Sequence, residues 1–249
     1  MKKLTNYLYK IFQIKKSPTK FLLISTQRSG TTMLSDILDS HPEIYMTREL
    51  FKVNGDLLNT DSDNYRYYQD TMNIEKFLNQ FFEKYKQYKA IGFTIMQDHL
   101  DLFPELQKYI KEQNLKCIYL ERQNKVKVCL SRFKARNSGV YHSTKKQIVS
   151  KEYIDPVLLL TELNRLKTSL KILHTYAKQY HAKTIYYEAL VKNKSVYLKD
   201  IQKYLNVNIM NNLTTSLKKT GSSSLKQSIL NYDEIEKYLQ NTEYESDLK

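Results

Sequence analysis

The chain has 249 residues, 41% hydrophobic and 12% aromatic, with only 5 Gly and 4 Pro; this excludes a disordered polar chain or a collagen-like repeat and suits one α/β core. No apolar run approaches the roughly 18 residues a spanning helix needs, and Cys117 and Cys129 are too few for a disulfide framework and fit no metal-ligand spacing. The formal charge of +14 would attract polyanions, yet 33 of the 40 basic residues are lysine in a Tyr-rich, Trp-free chain, so the seven arginines are the more informative cations.

Residues 1–20 hold six lysines and no acid, with Leu4, Tyr7, Leu8, Ile11 and Phe12 at helical spacing and Pro18 closing the segment. The spacing predicts a basic amphipathic helix, an appendage to the domain at 21–249 and a candidate for peripheral membrane contact through residues 1–16. It lacks the uninterrupted apolar core of a secretory signal, so a cytoplasmic, reducing setting is expected.

A buried strand is expected at 21–25, then a polar loop and a helix at 31–40 with Met33, Leu34, Ile37 and Leu38 on one face. An extended stretch near 44–45, a polar loop at 54–70, a helix around 74–88 and a strand at 90–96 follow. Residues 102–113 look helical, 116–120 extended and 125–136 helical. After a polar stretch at 137–152 come a long helix at 156–180, a strand at 183–187 and helices near 195–204 and 232–240. The alternation predicts a single α/β domain, a central, mostly parallel sheet with helices on both faces.

The first strand runs straight into Arg28, Ser29, Gly30, Thr31 and Thr32, and the helix begins at once. Such a turn aims unpaired backbone N–H groups and the positive end of a helix dipole at one point, which suits a phosphate or sulfate. Gly30 permits close approach, the hydroxyls of Ser29, Thr31 and Thr32 add donors, and Arg28 offers a planar fork for oxyanions. The second glycine and the lysine of a nucleoside-triphosphatase P-loop are missing. An ordinary strand-to-helix turn is the plain alternative for this segment taken alone.

The run from Arg28 to Thr32, the apolar helix after it and then Ser40, His41, Pro42, Glu43 and Ile44 resemble the 5′-phosphosulfate loop of sulfotransferases that use 3′-phosphoadenosine 5′-phosphosulfate (PAPS). The likeness is greatest to the bacterial and carbohydrate-directed branch, where arginine stands in place of the lysine of the cytosolic steroid and phenol enzymes. A second match follows in order: Arg122 at a strand end, Asn124 after it and Ser131 on the next helix are similar to the family's 3′-phosphate motif. Weaker likenesses lie at 131–142, at Tyr186 to Val191, whose tyrosine, Tyr187, the resemblance puts near the adenine, and at Lys218, Lys219, Thr220 and Gly221, similar to the basic closing loop. Thr94 stands where many relatives carry lysine, so that auxiliary cation is absent.

The resemblance implies a P-loop-like fold and transfer of a sulfuryl group from PAPS to an acceptor hydroxyl, the expected targets being a carbohydrate or glycolipid, with 3′-phosphoadenosine 5′-phosphate (PAP) as product and no metal required. It makes Arg28 a catalytic cation and Glu49 the first candidate for general base, at about the place of the carbohydrate enzymes' catalytic glutamate, with His99 as runner-up and His41 structural. For Glu49 the plain alternative is a solvated pair with Arg48. Two other readings compete: a kinase-like protein using the first loop for ATP, and a non-catalytic basic binder of anionic lipid or nucleic acid, which would show steep salt dependence and no preference for a 3′-phosphate.

Overall fold

The computed structural model describes residues 17–51, 73–138, 151–216 and 224–248. Five strands, β1 (Thr19–Ser25), β2 (Ile44–Glu49), β3 (Ala90–Met96), β4 (Lys116–Glu121) and β5 (Lys183–Tyr186), form one all-parallel sheet in the order β2-β3-β1-β4-β5. Thr19 and Lys20, expected to belong to the N-terminal appendage, are the first residues of β1, because their backbone pairs with Ala90 and Ile91. Residues 1–16 lie outside the described part.

Alternation along β1 divides the core. Leu22 and Ile24 face one layer, against α2 (Ile74–Lys84), α3 (Gln97–Leu102), α4 (Pro104–Glu112) and the end of the long helix α6 (Pro156–Gln179). Phe21 and Leu23 face the other, against α1 (Thr31–Asp39), α7 (Tyr187–Lys192) and α8 (Lys194–Tyr204). Both faces of β1 are therefore dry, which is why it reads as an unbroken apolar run rather than an alternating one. A third cluster joins α5 (Lys125–Ser138), the first half of α6, α9 (Tyr232–Leu239) and a 3-10 turn at Glu245–Leu248 through Val126, Leu163, Ile235 and Leu248.

Several boundaries differ from the sequence expectation for local reasons. The helix expected over 102–113 is α4, which starts at Pro104, where a missing N–H costs nothing, because Phe103 leaves helical geometry. Leu102 instead closes α3, a helix that the sequence reading did not give. Likewise α2 ends at Lys84, four residues short of the expected 88, and β5 stops at Tyr186, so Tyr187 begins a helix instead of ending a strand. The order 2-3-1-4-5 puts the carboxyl ends of β1 and its neighbours β3 and β4 side by side, and the loops that leave them form the candidate site.

Candidate active site

Helix α1 starts at Gly30, whose φ of 95° lies in the left-handed region. A glycine has no side chain to cap the helix, and the first turn of α1 carries no acid, so its leading amides and the positive dipole end face the site. The position is sterically closed to other residues as well: a Cβ on Gly30 would lie 2.5 Å from the Tyr187 ring. Before it, Arg28 is also left-handed, at φ 68°. Ser25 donates to the Leu120 carbonyl, pinning the loop to β4, and the hydroxyls of Thr26 and Ser29 are bonded to each other at 2.8 Å. Ser29 is buried and Thr32 partly exposed at the mouth.

The two motifs singled out from the sequence converge here. Arg28 Nε donates to Ser131 Oγ at 3.0 Å across 103 residues of chain. Arg122 Nη1 donates to the Arg28 carbonyl at 3.4 Å, and its guanidinium lies over the Tyr187 ring, 5.2 Å from the centroid. The Nε of Arg122 is buried without a hydrogen-bond partner. Burial lowers the pKa of this guanidinium, with nearby Tyr187 and Glu188 acting in the opposite sense. A buried cation with an unspent donor is the arrangement an incoming oxyanion completes. Glu121 does not neutralise it: that carboxylate points to the other face of the sheet, 2.7 Å from His174 Nε2.

Glu49 ends β2 on the same edge of the sheet. The register steps from Thr47 opposite Phe93 to Glu49 opposite Thr94, so Arg48 is the extra residue of a β-bulge. Arg48 pairs with Asp36 of α1 at 3.1 Å, and Glu49 is exposed. Thr94 is buried and shares a 2.9 Å hydrogen bond with Ser35, a neutral contact.

His99 is placed differently. It is buried, packs edge-on to Phe51, and its Nδ1 accepts the Met96 N–H at 3.2 Å, so the side chain caps the start of α3. With Nδ1 accepting, the ring proton sits on Nε2, and burial lowers the pKa while Asp98 acts in the opposite sense. His41 is structural, as expected: buried, accepting Glu43 N–H through Nδ1 and donating through Nε2 to the Asn208 carbonyl at 2.9 Å.

Lys218, Lys219, Thr220 and Gly221 lie outside the described residues, as do residues 54–70 and most of 137–152. Two acids that sequence reasoning left unassigned sit at the start of α5. Glu188 accepts from Gln123 N–H at 3.1 Å and Asn124 N–H at 3.3 Å, and Asp247 accepts from Lys125 N–H at 3.2 Å. Among the described residues no group of three or more His, Cys, Asp or Glu is arranged to hold a metal ion.

An all-parallel sheet whose first strand feeds an uncapped helix, with two arginines converging there, defines a P-loop-like α/β protein that handles an anionic group. The family is shown by its own match: the Sulfotransferase domain model covers residues 18–246, and the chain belongs to that family. It is thus a sulfotransferase, an enzyme of sulfuryl transfer.

Among solved structures, the chain is similar to a sulfotransferase from Alicyclobacillus acidocaldarius, at 14% identity and TM-score 0.52, with 92% of each chain covered. That likeness is one of fold. A mouse sulfotransferase complexed with PAP gives 15% identity and TM-score 0.49 over 92% of this chain and 86% of the other. The sulfotransferase domain of a Synechococcus olefin synthase gives 17% and 0.45 over 91% and 90%. No curated protein sequence matches the chain.

Proposed function

We propose that the protein uses PAPS as donor and sulfates a hydroxyl of a carbohydrate or glycolipid in a cytoplasmic setting. The observation that carries the donor is the meeting of the bare α1 terminus with the buried, incompletely bonded Arg122 at one mouth, joined by the contact from Arg28 to Ser131. Those residues fit a nucleotide with phosphates at two ends. Arg122 and Ser131 would hold the 3′-phosphate, and Arg28 with the amides at Gly30, Thr31 and Thr32 the 5′-phosphosulfate. Tyr187 offers a ring beside both.

When bound, the donor supplies the sulfuryl group that passes in line to the acceptor oxygen. The chain's own part is positioning and charge: Arg28 and the α1 dipole stabilise negative charge that builds at the leaving phosphate, at little reorganisation cost because they are held in place beforehand. Glu49, exposed at the strand end, takes the acceptor's proton on its carboxylate. His99 suits that role less, since its acceptor nitrogen is already committed to Met96. The buried thiols of Cys117 and Cys129, both pushed up to about 12 chiefly by burial, are unreactive and take no part in this scheme.

A thermal-shift comparison of 3′,5′-adenosine bisphosphate, 5′-AMP and ATP with magnesium at two salt concentrations tests the donor. Stabilisation by the bisphosphate well beyond the other two is expected. Equal effects that fade with salt would reduce the site to a basic surface, and a lead for ATP would favour a kinase-like reading.

A further inference from the structure

We infer that Glu188 is a positioning residue for Arg122 and sets how strongly the protein prefers a nucleotide bearing a 3′-phosphate. The inference rests on the donor reading above. Between the end of β4 at Glu121 and the start of α5 at Lys125 the chain reverses from strand to helix, leaving the N–H groups of this turn without ladder or helix partners. Glu188 fills two of them with one carboxylate: Oε2 accepts from Gln123 and Oε1 from Asn124. Two bonds to consecutive amides fix the peptide planes immediately after Arg122, and so the direction in which its side chain leaves the backbone.

The residue before Glu188 completes the grip. Tyr187 lies under the Arg122 guanidinium, so one dipeptide at the start of α7 holds Arg122 at its backbone and at its head. Asp247, from the 3-10 turn, secures the next step by accepting from Lys125 N–H, while its carbonyl accepts from Asn124 Nδ2 at 2.7 Å. Asp247 is one residue further along the turn and does not touch the amides that follow Arg122. Glu188 touches neither of the two phosphate positions; it acts through the arginine.

Glu188→Gln in the full chain separates positioning from general support. The amide keeps one acceptor and presents N–H to the second backbone N–H, a donor facing a donor. Calorimetric Kd values for 3′,5′-adenosine bisphosphate and for 5′-AMP give the preference as a ratio. That ratio is expected to fall roughly five- to tenfold, as for loss of a charge-assisted bond, with 5′-AMP affinity changed less than about twofold. Asp247→Asn should leave the ratio within about twofold of the wild type.

An unchanged ratio in Glu188→Gln, or an equal loss for both nucleotides with a lowered Tm, overturns the inference and makes Glu188 a structural residue only. Should Glu188→Gln fail to fold, Glu188→Asp, which keeps the charge but shortens the reach, is read by the same ratio and the same criterion. A wild-type protein that shows no preference for the bisphosphate overturns the donor reading itself. A wild-type preference left intact by the Glu188 variants overturns only the role of Glu188.

Discussion

Helices α1 and α5 both leave the carboxyl edge of the sheet, one from β1 and the other from its neighbour β4, and their first turns are finished in opposite ways. The α1 end has a glycine cap, no first-turn acid and no side-chain cap. The α5 end is filled by the protein's own oxygens: Asn124 Oδ1 on Lys127 N–H, Glu188 on the turn before it and Asp247 on Lys125. A third start on this edge, α3, is closed by His99. Equivalent dipoles therefore have different uses. The helix left bare can receive an external anion, while the filled one fixes the turn that carries Arg122, whose buried Nε has no hydrogen-bond partner.

The largest effect is expected where neither helix end is touched. Glu49→Gln should lower turnover on the order of 10²-fold or more with bisphosphate affinity intact, because it removes only the proton acceptor. If turnover survives and His99→Ala abolishes it, the two residues exchange roles. Gly30→Ala attacks the bare end directly: a left-handed alanine and the clash with Tyr187 should weaken bisphosphate binding by up to about 100-fold, given the ~1–3 kcal/mol of such strain. Wild-type affinity in that variant would remove α1 from the site.

Arg122→Ala tests the filled end. A charge-assisted contact is worth ~1.5–3 kcal/mol, so bisphosphate affinity should fall by about one to two decades in calorimetry. No change would leave the α5 end without a ligand role. The smallest effect belongs to the α3 end. His99 has its folded pKa below the ordinary 6.5, so below that pH the unfolded chain takes up a proton that the native ring resists. Stability should then fall as pH drops from about 6.5 through the folded pKa, costing a few degrees of Tm, and His99→Gln should flatten that slope. A slope unchanged in the variant would assign the acid sensitivity elsewhere.

The strands β1, β3, β4 and β5 and the loop after β1 were legible from local signals, apolar residues over strand lengths and then Gly30 where a left-handed turn is needed. By contrast β2 (Ile44–Glu49) showed only as an extended stretch near 44–45, because its second half is polar. Arg122 and Ser131 were named through the family resemblance, and the fold brings both into contact with Arg28. The start of α7 was not legible, since Tyr186 and Tyr187 read equally as strand or helix and only pairing with β4, which stops at Tyr186, decides. The role of the acids at α5 was hidden as well, although Glu188 lay inside the run Tyr186 to Val191 that the resemblance had marked. Glu188 and Asp247 meet that turn across 64 and 122 residues, and no periodicity marks a carboxylate that will cap a distant helix. Glu49 was named from its place in the chain, but the bulge that separates it from Arg48 appears only once β2 is aligned on β3.

The distance in sequence between Lys125 and Asp247 has a consequence for the order of assembly during synthesis. Once β1, α1, β3 and β4 have been made, the mouth at Gly30 can form from neighbouring segments. The turn before α5 at that moment has no Glu188 and no Asp247, so only its local cap, Asn124 on Lys127, is in place and the amides of Gln123, Asn124 and Lys125 wait for acceptors made later. Closing a loop of that span is slow relative to local pairing. The turn before α5 is accordingly completed late in folding, when the segment carrying Asp247 folds back onto Lys125.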